Sequence, residues 1–224
     1  MAIQIQGANG TVAEVDGTTF RALRVTPRPA EYGAFGHYRI CMVSGTMAAA
    51  LAANSDIFLF RWGDTTRLAV VYEVVISAGA NVAASAAAIT SLELFFARTF
   101  TASGTGGTPA TLSGNNQKMR TSMGTTLATD IRCATTTALG AGTKTLDAQS
   151  LSGVAVGIWT GALTTGLSGQ FVPRTPLIDV DGGFKHPIVF AQDEGFAIRN
   201  GIIFPAALTW NFALSVAWLE YTSF

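Results

Sequence analysis

The chain has 224 residues, 14 of them Lys or Arg and 14 Asp or Glu, so its formal net charge is zero. Charged residues make up 12%, about half the ~25% of an ordinary soluble domain, while 49% are hydrophobic. That hydrophobicity excludes a disordered chain, and zero net charge removes the electrostatic footprint of a nucleic-acid binder.

In chain order, Met1–Gly10 has no basic n-region and no apolar h-region, so no secretory signal is read there, and the chain is expected to be made in a cytoplasm. Ile3–Gln6 alternates weakly. Phe20–Thr26 sets Phe20, Ala22, Arg24 and Thr26 on one face against Arg21, Leu23 and Val25. Thr46–Asn54 and Val82–Ile89 are alanine-rich, short and without a charged face, which leaves a small buried helix or a small-residue strand open. Ile57–Trp62 puts Phe58, Phe60 and Trp62 on one side, and the valine-rich Leu68–Ser77 suits a pleated surface. Leu92–Phe100, Val154–Thr160, Pro187–Ala191 and Phe196–Arg199 are further short strand candidates. In Trp210, Phe212, Leu214, Val216 and Trp218 every even position is large and apolar, while Asn211, Ala213, Ser215 and Ala217 are small or polar. This is a strand that buries one face and turns a light one outward.

Glycine-rich and Asp-Gly turns punctuate these runs at Gly63-Asp64, Gly104–Thr108, Gly114–Asn116, Gly140–Thr143 and Asp181–Gly183. Short strands with such punctuation predict an all-β fold, a jelly-roll or antiparallel β-sandwich with long loops and little helix. The expected organisation is a single domain over 1–224 with a loop-rich mid-chain excursion around 101–147. Ala148–Pro173 is uncharged for 26 residues, but its five glycines and its serines and threonines make it too polar for a lipid-facing helix.

Candidate chemistry is sparse. Cys41 and Cys133, the only cysteines, stand 92 positions apart, match no zinc spacing and read as two buried thiols. Arg21, Arg24, Arg28, Glu31, His37 and Arg39 concentrate charge early in the chain, either as an anion-binding patch or as ion pairs at a strand end or subunit contact. His186 precedes a proline, and no G-x-S-x-G elbow accompanies either histidine. Asp179, Asp181 and Gly182-Gly183 resemble the start of a calcium loop but lack its third acidic ligand, and an Asp-Gly turn explains them equally well. Glu73, Glu93, Glu194 and Glu220 could be paired carboxylates only if the fold gathered two of them in a cleft. No catalytic residue, cofactor or metal is read from the chain.

The stretches HPIVFAQDEGFAIRN (His186–Asn200) and TWNFALSVAWLEY (Thr209–Tyr221) resemble the final strands of small jelly-roll proteins of tailed-phage particles. FRALRVTPRP (Phe20–Pro29) and LSGNNQKMRTSMGTTLATDIR (Leu112–Arg132) are similar to phage structural proteins as well. The resemblance implies a virion protein made in the bacterial host cytoplasm: a capsid decoration or cement protein, trimeric as such families often are. It would bind across neighbouring subunits of the major capsid protein, with no nucleic-acid or membrane partner. A tail-fibre or receptor-binding, lectin-like protein shares the same architecture and is the alternative. Contact residues expected on this reading are Arg21, Arg24, Arg28 and the loop Leu112–Met123, with Asn115, Asn116, Gln117 and Arg120. Their amides and guanidinium can bond a partner's backbone.

Overall fold

The alternating segment Thr209–Tyr221 (β12) sits inside a sheet. The computed structural model describes residues 36–82, 84, 86–158, 169–180 and 186–222. Arg21, Arg24, Arg28, Glu31 and the two expected N-terminal strands therefore lie outside the described residues, as do Trp159 and Asp181–Gly183. The described residues fall in one unit, Gly33–Phe224, and contain strands and turns without a helix.

β12 pairs antiparallel with β1 (His37–Val43) on one side and with β3 (Leu68–Val82) on the other. The far edge of β3 carries two shorter strands in succession, β9 (Gly169–Asp179) opposite residues 73–80 and β10 (Ile188–Phe190) opposite 69–71. Pro173 and Pro176 fall in β9, at a sheet margin where a missing N–H is tolerated and further pairing is discouraged. The second sheet runs β5 (Thr108–Pro109), β6 (Ala128–Cys133), β2 (Asp56–Trp62), β11 (Glu194–Asn200), β4 (Ala88–Ala102). The far edge of β4 again takes two short strands, β7 (Thr143–Leu146) and β8 (Ser152–Ile158). The result is the expected antiparallel β-sandwich.

The core lies between the sheets and is strongly aromatic. Phe60 stacks on Phe196 at 5.4 Å between ring centroids and meets Trp218 of the other sheet edge-on at 5.5 Å. Phe190 of β10 lies 4.8 Å from Phe96 of β4. Burial of each such ring contributes about 1.5–3 kcal/mol, and offset or edge-on pairs add roughly 0.5–1.5 kcal/mol. On β12 the even residues Trp210 to Trp218 all point into this core, as their period requires.

The excursion is more ordered than expected. It contributes β5, β6 and β7, and β6 is an interior strand between β5 and β2. A register shift between Arg61 and Trp62 breaks the alternation of Ala128 with Ile131 and Cys133, which hides the strand from a period-two reading. The segment then folds back over the outer face of the second sheet, with Leu139 N–H donating to the Asp56 carbonyl and Gly140 N–H to that of Thr105. β2 is consequently buried on both faces, Ile57 and Leu59 outward as well as Phe58 and Phe60 inward. Gly142 permits this close return. Its φ is +65°, and a Cβ there would lie 2.3 Å from the Ala102 carbonyl oxygen.

Of the alanine-rich runs, 46–54 forms neither helix nor strand beyond an isolated bridge at Met47, whereas 82–89 gives Val82 to β3 and Ala88 and Ile89 to β4. In 46–54 the N–H groups of Met47, Ala48 and Ala50 bond to carbonyls of Trp210, Thr136 and Pro205, while Ala50 and Asn54 take positive φ. Met47 and Leu51 are drawn into the core, and these tertiary bonds override alanine's helix propensity.

Candidate interaction surface

The strand directions separate charge along the long axis of the sandwich. β3 ends at Val82 opposite Thr209, where β12 begins. β8 ends at Ile158 opposite Ala88, where β4 begins. Among the described residues, the connections at this end, 44–55, 84, 86–87, 134–139 and 201–208, contain no Asp, Glu, Lys, Arg or His. They interlock through Ala48 N–H to the Thr136 carbonyl, Phe204 N–H to that of Leu51, and Gly201 N–H to that of Ser91. Phe204 stacks on Trp210 at 4.2 Å and 4° and anchors the connection 201–208. Aliphatic side chains nevertheless stand in solvent here: Val82 is 51% exposed, Ile89 64%, Ile202 43% and Ile203 56%. Beside Ile89 the surface dips into a hollow of about 280 Å³ lined also by Ala87, Ala88, Gly157 and Ile158.

The opposite end carries the charge. Asp64 caps the turn after β2, accepting from the Thr66 and Arg67 N–H groups and the Thr66 hydroxyl at 2.8 Å each. Burial raises its pKa somewhat, but these bonds hold it below the usual carboxylate value. Arg98 bridges Asp147 at 3.2 Å and Glu194 at 3.1 Å, and Arg61 lies 3.7 Å from Asp193. Glu220 is sealed beneath residues 126–127. It accepts from the Thr126 hydroxyl at 2.8 Å and the Leu127 N–H at 2.9 Å, with Arg67 Nη1 at 3.4 Å. Burial outweighs these partners and raises its pKa above the ordinary value of 4.5. Nearby Tyr38 is pushed up to about 12 by burial and by the Glu220 charge, and its hydroxyl donates to the Gly124 carbonyl at 3.0 Å.

The loop Leu112–Met123 lies against the margin of β1 at this charged end. Arg39 N–H donates to the Gln117 carbonyl at 2.9 Å, and Met119 N–H to that of His37 at 3.0 Å. Gln117, at φ 63°, thus spends its backbone inside the molecule, and its buried side-chain oxygen has no hydrogen-bond partner among the described residues. Asn115 accepts from Lys118 Nζ at 3.2 Å, and Asn116 Nδ2 donates to the Ser113 carbonyl at 2.6 Å. Both asparagines and Arg120 are exposed. Of the early charge cluster, Arg39 pairs with Glu73 at 2.6 Å across β12, and Arg174 approaches the same carboxylate at 3.5 Å. These are ion pairs on the outer face of the first sheet. His37 contacts the Tyr72 hydroxyl, and burial, reinforced by Arg39, lowers its pKa.

One cluster of charges does belong to the half that holds the charge-free connections. Asp56 starts β2 on the outer face of the second sheet, where Lys144 Nζ reaches its Oδ2 at 2.6 Å, with the two side chains only 4% and 2% exposed. Arg199 Nε lies 2.8 Å from Oδ1, at ion-pair distance but without hydrogen-bond alignment. Lys144 also donates to the Ala141 carbonyl and lies 5.5 Å from the Phe100 ring centroid.

The candidate carboxylates are dispersed: Glu73 on β3, Glu93 on β4 beside Ser91, Glu194 at the start of β11 and Glu220 on β12. Asp179 ends β9, and His186 is exposed. Among the described residues no three His, Cys, Asp or Glu side chains are grouped to hold a metal ion, and no helix is long and apolar enough to cross a membrane. The cysteines differ from expectation. Cys133 is buried, and burial pushes its thiol up to about 12, whereas Cys41 is exposed. Cys41 shares the outward face of β1 with Arg39 and Val43, because Tyr38 and Ile40 take the inward one.

Sequence reasoning missed the uncharged end. Its signal, several charge-free connections, is present in the chain, but only the strand order shows that they meet. No family model, curated protein or solved structure matches this chain.

Proposed function

We propose that this protein is a structural component of a tailed-phage particle, a capsid decoration or cement protein that works by burying surface rather than by catalysis. The reading rests on the resemblance of its strand sequences to small virion jelly-roll proteins. The observation that carries it is the division of the surface into an end whose described connections carry no charge and expose aliphatic side chains, and a charged end. Exposed apolar patches rimmed by polar residues mark interaction sites, and interface cores are depleted of charge.

On this reading the charged end meets the major capsid protein through the loop Leu112–Met123, where exposed Asn115, Asn116 and Arg120 offer donors and acceptors to a neighbouring backbone. Arg21, Arg24 and Arg28 are proposed to add to that contact. The protein works as a homo-oligomer, with three copies as the proposed number. Among the described residues, Trp62, Trp210 and Trp218 are wholly buried and supply no stacking platform for a sugar-binding tip, while Trp159 lies outside them. Counting copies per purified particle tests the proposal: hundreds on the head support it, and a handful at the tail overturn it in favour of a fibre.

A further inference from the structure

We infer that the dipeptide Asn200-Gly201 is a latent modification site. The folded chain shields it, and when the joint around it opens Asn200 is converted to aspartate or isoaspartate, which cannot return to the native position. No partner enters this chemistry, so it stands apart from the structural role proposed above.

The pair sets a side-chain amide beside the least hindered backbone nitrogen. Glycine has no Cβ to shield that nitrogen or restrict its dihedrals, and asparagine is a thermolabile residue. When the Gly201 nitrogen attacks Asn200 Cγ, its proton passes to solvent and an N–Cγ bond closes a cyclic imide. The Cγ–Nδ2 bond breaks, and ammonia leaves. Water then opens the imide at either carbonyl, giving aspartate or, with the main chain rerouted through the side chain, isoaspartate. The fold favours glycine at 201, because a Cβ there would lie 2.1 Å from Glu93 Oε1 and 2.5 Å from Ser91 Oγ. It also uses the whole Asn200 amide, which is fully buried. Oδ1 accepts from the Ser55 N–H at 3.0 Å, and Nδ2 donates to the carbonyls of Ala52 at 2.8 Å, Ile202 at 3.1 Å and Leu51 at 3.3 Å. The nucleophile is occupied too, since Gly201 N–H donates to the Ser91 carbonyl at 3.2 Å. Ring closure must break these bonds in a buried place, so the native chain resists it. The product is excluded for the complementary reason. A carboxylate at 200 would set its charge against the carbonyl oxygens of Leu51, Ala52 and Ile202. Isoaspartate would also lengthen the main chain where the Asn54 N–H bonds the Asn200 carbonyl at 2.7 Å.

Site-resolved mass mapping of the full chain tests this. The chain is held at mildly alkaline pH in native buffer and in guanidinium chloride, then cut after Arg199 to release the peptide 200–224. The other Asn-Gly pair, Asn9-Gly10, falls in a different peptide. Conversion of an amide to an acid adds about 1 Da. The unfolded chain is expected to gain that mass at Asn200, and faster there than at Asn211 of the same peptide. The native chain should convert Asn200 at least about 100-fold more slowly, because only its rare open population reacts. After dilution from denaturant, the fraction that recovers native tryptophan fluorescence should be depleted of chains converted at 200. Three results overturn the inference: native chain that converts as fast as unfolded chain, unfolded chain that converts Asn200 no faster than Asn211, or converted chains that refold as readily as the rest. None of these bears on copy number per particle, so failure here is distinct from failure of the structural role.

Discussion

The two ends of this sandwich are built from the same strands but treat charge in opposite ways. At one end Asp64, Arg67, Arg98, Asp147 and Glu194 are tied into turns and pairs. At the other, connections without any ionisable residue bond backbone to backbone and leave Ile89, Ile202 and Ile203 in solvent. The difference separates charged groups that hold turns from exposed aliphatic groups that hold nothing within the chain. Charged groups fix turns at one end, whereas the other end is held by buried Met47, Leu51 and Phe204, and its exposed side chains contribute little to folding.

The largest expected effect lies at the seam of the uncharged half. Lys144→Ala leaves Asp56 buried with only the misaligned Arg199 as counter-charge. It should cost about 3–5 kcal/mol in urea unfolding and loosen the excursion over β2, read as faster amide exchange at Leu139 and Gly140.

At the charged end, Glu220→Gln sharpens the comparison through pH. The folded-state pKa of Glu220 is raised, so its contribution to stability is fully present below the ordinary value of 4.5 and is lost as pH rises through the raised value. Wild type should thus gain stability relative to Glu220→Gln as pH falls from neutrality towards 4.5. A difference between the two that does not change with pH would contradict the buried, destabilised carboxylate. Arg98→Ala, which removes partly exposed pairs with Asp147 and Glu194, should cost no more than about 1 kcal/mol. Smallest of all, Ile203→Asp should change the unfolding free energy of the monomer by less than about 0.5 kcal/mol.

The central strands were legible because one side of each is buried. The alternation from Trp210 to Trp218 and the run Phe58, Phe60, Trp62 place those side chains in the core where they are found. Three features were not legible, each for a physical reason. β6 was masked by a bulge. The outer face of β2 is covered by residues some eighty positions later, a contact that period two does not encode. Cys41 lies on an outward face of a marginal strand, so the general tendency of free cysteine to be buried misplaces it. The candidate contact loop was located by sequence, but the use of its Gln117 and Met119 backbone to pair with β1 depends on a strand far away in the chain. The uncharged end needed the topology most, since each charge-free connection is unremarkable until the strand order brings them together.

The measurement that tests the central claim most directly is thiol labelling at the uncharged end, with Cys41 replaced by serine so that it does not compete. In that background Ile203→Cys is exposed to a maleimide in the isolated chain and on purified particles. If the exposed aliphatic side chains of this end are covered on assembly, position 203 is strongly protected on particles and labels fast in the isolated chain. Equally fast labelling of position 203 in both would contradict it.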